Sequence, residues 1–144
     1  MIRAAIVASS SFALVACTIS QNVVPVQSGV AAVASVCIIE DPAVRAGFVE
    51  EFRRVLTERA YEVKMLPPGA STTACPIVST YVARWSWDLT IYLSYARILV
   101  FDHGVQAGEA IYDARKGGGR LDKFINAEPK IRELVEELFP PAGS

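Results

Sequence analysis

Histidine occurs once and cysteine three times in the 144 residues, too few for most zinc sites built from several ligands. Neither charge sign is in excess: 14 Lys and Arg stand against 15 Asp and Glu, a formal net charge of −1. Such a balance lacks the basic surface that displaces counterions from phosphate, so nucleic acid is not an expected partner. The chain has no uninterrupted apolar run of the ~20 residues that span a bilayer as a helix. The Cys-x-x-Cys spacing of dithiol redox sites is absent, and Gly117-Gly118-Gly119 is not followed by the Gly-Lys-Ser/Thr that completes a P-loop. What the chain does have is apolar material. A hydrophobic share of 52% with 20% charged residues excludes a disordered chain, and the length suits one domain.

Part of that share lies at the start. Arg3 supplies one positive charge, and a run of apolar and small residues follows from Ala4 to Ala16, broken by Ser9, Ser10 and Ser11. This fits the h-region of a secretory signal peptide, residues 1–16. The run ends Leu14-Val15-Ala16-Cys17, which resembles the lipobox of bacterial lipoprotein precursors. The resemblance implies a diacylglyceryl group on the Cys17 thiol, cleavage before Cys17, and a membrane partner reached through lipid. Thr18 in the next position, where Asp would retain the protein at the inner membrane, implies the periplasmic face of the outer membrane. The mature chain then has 128 residues, with 13 basic against 15 acidic. Two or three acyl chains, at ~0.8 kcal/mol per buried CH₂, hold a protein on a membrane stably.

Residues 17–30 lack helical periodicity and are expected to be the lipidated Cys and a tether. A single domain is expected over 31–140, with 141–144 as a tail. Ala31–Ile39 is β-branched and reads as a strand. Asp41-Pro42 predicts a helix start, and Val44, Phe48, Phe52, Val55 and Leu56 form one helical stripe to about Ala60. Tyr61–Leu66 alternates as a strand. Three further extended stretches follow at Cys75–Trp87, Tyr92–Phe101 and Val105–Ala114, with Asp102-His103-Gly104 as a hairpin turn. Leu121, Phe124 and Ile125 share a face, as do Ile131, Leu134, Val135, Leu138 and Phe139, in a last helix capped by Asn126 and stopped by Pro140-Pro141. The order β-α-β-β-β-β-α predicts an α+β two-layer sandwich. Its mainly antiparallel sheet of four or five strands would carry two helices on one face.

Export leaves Cys37 and Cys75 as an even pair in an oxidising compartment, where they are expected to close a disulfide; two buried free thiols are the alternative. The densest polar-aromatic cluster is Arg84-Trp85-Ser86-Trp87-Asp88 with Tyr81, Tyr92, Tyr95 and Arg97. Alternation places Tyr81, Ala83, Trp85 and Trp87 on one strand face, and Leu93, Tyr95, Arg97, Leu99 and Phe101 on one face of the next. Two helices cover only one side of a sheet, so the other is free for solvent or a partner. Tyr81, Trp85, Tyr95 and Arg97 are the candidate contact residues, with Trp87 assigned to the core. A cross-strand ladder that only stabilises the sheet is the other reading. No catalytic residues stand out. Asp88 reads as a turn cap, His103 has no evident orienting partner, and Ser79, Ser86 and Ser94 lack a nucleophile-elbow context. Neither a metal nor a cofactor is expected.

Trp85-x-Trp87-Asp88, Lys130-Ile131-x-Glu133-Leu134 and Leu138-Phe139-Pro140 resemble segments of small proteobacterial lipoproteins of uncharacterised function, over most of residues 75–140. The resemblance implies an envelope protein and brings no catalytic residues with it. The expectation is a non-enzymatic binding or assembly module, with a periplasmic protein or further copies of itself as partner. The alternative is a lipoprotein inhibitor or immunity factor against a periplasmic enzyme or toxin.

Overall fold

A computed structural model describes residues 18–118, 121 and 126–144. The expected signal peptide (1–16), the lipidation site Cys17, and Phe124 and Ile125 lie outside the described residues. The described elements run β1 (Ser20–Val24), α1 (Ser28–Val33), β2 (Ser35–Ile39), α2 (Ala46–Glu58), β3 (Glu62–Leu66), β4 (Ile77–Asp88), β5 (Thr90–Asp102), β6 (Val105–Asp113) and α3 (Ala127–Leu138).

The α+β class holds, but the sheet is larger than expected and mixed. Its six strands lie in the order β1-β6-β5-β4-β2-β3. β2 runs parallel to both β3 and β4, while β4–β5, β5–β6 and β6–β1 are antiparallel. The extra strand comes from the segment expected as a tether. Ser20–Val24 pairs along β6, and the Val26 amide donates to the Leu138 carbonyl at 2.9 Å. As a short edge strand it carries only Gln21 and Val23 inward, too few residues to show a period. Ala31–Val33 belongs to α1 rather than to a strand, so β2 begins at Ser35. The tail is also docked: the Ala142 and Gly143 amides donate to the carbonyls of Arg59 and Ala31.

Asp41-Pro42 does not open α2. The Asp41 carboxylate accepts the Ala43 amide at 2.9 Å in a local turn, and the helix starts four residues later at Ala46. Its end is a Schellman arrangement: the Tyr61 amide bonds the Leu56 carbonyl, the Ala60 amide bonds that of Thr57, and Ala60 adopts φ 68°. The β5–β6 turn is formed as expected, with His103 and Gly104 both at positive φ (49° and 82°), as a type I′ hairpin requires.

The core lies between the sheet and one helical layer. Phe48, Phe52, Val55 and Leu56 of α2, and Ile131, Leu134, Val135 and Leu138 of α3, meet Val36, Ile38, Ile77, Tyr81, Ala96, Ile98, Val100, Ala110 and Tyr112 of the sheet. Glu51, 3% exposed, is held between the helices. It pairs with Arg54, and its Oε1 lies 3.2 Å from Arg132 Nε. Arg132 also bonds Glu58 at 2.5 Å, so one guanidinium ties α3 to two carboxylates of α2.

Candidate functional site

The uncovered sheet face and the long β4–β5 hairpin carry the residues singled out from the sequence. The β4–β5 register decides where each one goes, and it contains a bulge. Arg84 pairs with Tyr95, but Trp85 pairs with Leu93, which leaves Ser94 as an extra residue in β5. The Ser94 hydroxyl donates to the Arg84 carbonyl at 3.1 Å and fixes that irregularity. Beyond the bulge the parity of β5 reverses. Leu93, assigned to the face of Tyr95 by simple alternation, is instead 2% exposed in the core.

The four candidate contact residues separate through the strand pairing, which sets Tyr81 and Trp85 opposite Ile98 and Leu93 on the helix side, and Tyr95 and Arg97 opposite Arg84 and Val82 on the other. Tyr81 lies in the core, 4% exposed, stacked on Phe48 at 5.3 Å and edge-on to Phe52. Its hydroxyl accepts the Asp41 amide at 3.1 Å, and burial pushes its pKa above the ordinary tyrosine value. It is not a surface residue. Trp85 is half-buried on the helix side, where it packs against the core with the Arg45 guanidinium 5.2 Å from its ring. A shallow cleft of about 240 Å³ beside it is bordered by Tyr92, Leu93, Asn126 and Ala127.

Tyr95 and Arg97 do face away from the helices, as expected, and both are half-buried. The Arg115 guanidinium sits 4.5 Å above the Tyr95 ring, and Arg97 Nε donates to Glu109 at 2.7 Å. Arg115 in turn bonds Asp113, which holds that carboxyl below the ordinary aspartate range. This strip is at once a cross-strand ladder and an exposed surface of aromatic and cationic groups. Elsewhere the same face is closed. Cys37 and Cys75 form the expected disulfide, with Cα atoms 6.3 Å apart. With Ile39, Val78, Leu66 and Ala70 they make a small second apolar cluster under the loop that follows β3.

Trp87 is the reverse of the expectation. It is 74% exposed, not core, and at the hairpin tip it stands beside Leu89 (81%) and Ile91 (54%). Leu89 holds φ 62°, a conformation that costs a non-glycine residue ~1–2 kcal/mol. Leu89 and Ile91 were not singled out from the sequence. The available signal was that Trp87, Leu89 and Ile91 alternate across the turn itself, where polar residues normally sit.

The polar side chains weighed for catalysis are occupied locally. The Ser79 hydroxyl donates to the Leu99 carbonyl at 2.8 Å inside the sheet. His103 lies in an exposed turn, 2.6 Å from the Asp102 carboxylate. Among the described residues no cluster of His, Cys, Asp and Glu could hold a metal, and no helix is long and apolar enough to cross a membrane.

The chain matches no protein-family model and no curated protein. Its fold is shared by a solved structure. The PelC dodecamer from Paraburkholderia phytofirmans superposes with a TM-score of 0.57 at 10% identity, over 88% of this chain and 99% of that one. A single-substitution variant of the PelC dodecamer from the same organism gives 0.49 at 11% identity, over 88% and 97%. At such identities the likeness concerns the fold.

Proposed function

We propose that this protein is a lipid-anchored envelope module of the outer membrane's periplasmic face that acts by binding rather than catalysis, and that copies of itself are among its partners. The observation that carries this reading is the half-exposed strip Tyr95–Arg97–Arg115 on the sheet face that α2 and α3 leave uncovered. Tyr and Arg are residue types enriched at interface hot spots. The tetrapeptide Leu14-Val15-Ala16-Cys17 supports the anchor, and a similar fold assembling as a dodecamer in PelC supports self-association.

Anchoring and association are separable in experiment. Cys17→Ser is expected to leave an unprocessed precursor that takes up no labelled palmitate; a variant still cleaved and lipidated at the same place overturns the anchor. Light scattering on the detergent-extracted protein is expected to give a multiple of the chain mass, reduced by Tyr95→Ala with Arg97→Ala at nearly constant melting temperature. A monomer at micromolar concentration removes self-association from the reading.

A further inference from the structure

We infer that the tip of the β4–β5 hairpin is a second membrane contact, with Trp87, Leu89 and Ile91 seated in the interfacial region of the bilayer that holds the lipid anchor. The inference rests on the proposed lipidation of Cys17 for the orientation it uses, and it is tested apart from it.

The sheet register carries the argument. Ser20, the first residue of β1, pairs with Asp113 at the end of β6; Asp113 pairs with Tyr95 of β5; Tyr95 pairs with Arg84 of β4. All four residues stand at one level, at the end of the sheet where the chain enters from Cys17. Ile19 packs against the core there, and a Cβ on Gly117 would stand 3.1 Å from the Ile19 side chain. From this level the β4–β5 ladder alone continues outward, through Trp85–Leu93, Ser86–Tyr92, Trp87–Ile91 and Asp88–Thr90. Four further rungs rise about 13 Å. The three residue steps from Ser20 back to Cys17 reach at most ~10 Å when extended. A lipid on Cys17 therefore brings the membrane surface down to the hairpin tip.

The chemistry of the tip suits that surface. Trp is enriched where hydrocarbon gives way to headgroups, because its ring is apolar and its N–H is polar. Leu89 and Ile91 add apolar area, and Leu121, in the connection that leaves β6 at the same end, is 77% exposed. A water-facing turn has no use for three large apolar side chains, one of them held at positive φ.

The test reads Trp87 directly. Protein purified from membranes is reconstituted in phosphatidylethanolamine–phosphatidylglycerol vesicles with or without brominated acyl chains, in a Trp85→Phe background where Trp87 is the only tryptophan. The expected result is a blue-shifted emission that brominated lipid quenches at least threefold, and loss of that quenching in Leu89→Asp. If Trp85→Phe disturbs the fold, wild type and Trp87→Phe give the same comparison, with vesicle quenching lost along with Trp87. An emission that stays water-like in vesicles overturns the inference. So does a blue-shifted emission that brominated lipid leaves unquenched, since that places the tip between protein copies. Palmitate labelling of the same preparation scores the anchor separately. Labelled protein with unquenched Trp87 sinks the tip contact alone, and unlabelled protein with quenched Trp87 sinks the anchor alone.

Discussion

The two ends of the β4–β5 hairpin are built from the same kinds of residue and live in opposite surroundings. At its root Ile77, Val78 and Val100 are essentially inaccessible; at its tip Trp87, Leu89 and Ile91 are mostly exposed. The root meets α2 on one side and the disulfide cluster on the other, whereas the tip extends past both. Apolar side chains at the root are explained by the fold. Those at the tip contribute little to it, so their presence points outside the chain.

If that contrast is real, substitutions should cost stability in proportion to their distance from the tip. The largest loss is expected at the aromatic group under the root. Phe52 touches both Tyr81 and Phe139 and has no exposed surface, so Phe52→Ala should lower unfolding free energy by ~3–5 kcal/mol in urea titration. Tyr81→Phe keeps the ring and removes only the bond from the Asp41 amide, for a loss of ~1 kcal/mol. A Phe52→Ala protein as stable as wild type would put the core elsewhere.

The disulfide comes next. It closes a sequence separation of 38 residues, for which chain entropy gives roughly 4 kcal/mol. Cys37→Ser with Cys75→Ser should therefore shift the urea midpoint strongly downward, and reductant should do the same to wild type but nothing further to the double variant. Free thiols on Cys37 and Cys75 in protein prepared from the periplasm contradict the bridge.

Acid tests the level between root and tip. Hydrogen bonds from Arg115 lower the Asp113 pKa, and the bond from Lys130, with Gln21 assisting, lowers that of Glu133. A carboxyl whose folded pKa is depressed stabilises the fold above its unfolded value and loses that contribution as pH falls through the folded one. Unfolding free energy should thus decline below about pH 4.5, near the ordinary carboxyl values. Arg115→Ala should flatten that decline only slightly, because the pair is solvent-screened. An unchanged acid limb in Arg115→Ala would mean that the pair does not persist in solution.

The covered half of the molecule was legible in sequence because burial imposes a period. The stripe Phe48, Phe52, Val55 and Leu56 and that of Ile131, Leu134, Val135 and Leu138 are visible without coordinates. The disulfide was legible from compartment and parity. Three features were not, each for a physical reason. β1 is an edge strand of five residues whose inward Gln21 is satisfied by Glu133 and Lys130 rather than by apolar contact, so it carries no hydrophobic alternation. The parallel placement of β2 between β3 and β4 depends on long-range pairing that composition does not encode. The bulge at Ser94 is held by a single hydroxyl's bond to a carbonyl, and it was enough to move Leu93 into the core. Of the four candidate contact residues, Tyr95 and Arg97 pair with Arg84 and Val82 on the open face, whereas Tyr81 and Trp85 pair with Ile98 and Leu93 on the helix face; alternation within each strand does not say which face of one strand meets which face of the next.

A near-neutral effect on stability is expected at Leu89, and it is the sharpest test of the contrast. Its side chain is 81% exposed, so replacing it forfeits almost no burial. At φ 62° leucine carries ~1–2 kcal/mol of steric cost that glycine does not. Glycine gives back ~0.4–1 kcal/mol by enlarging the unfolded ensemble. The two nearly offset, so Leu89→Gly should unfold within about 1 kcal/mol of wild type, on the stable side. Lipid quenching of Trp87 should nevertheless fall in the same variant, because apolar area at the tip has been removed. A clear loss of stability would instead show that Leu89 packs within the domain, and the apolar tip would then belong to the fold after all.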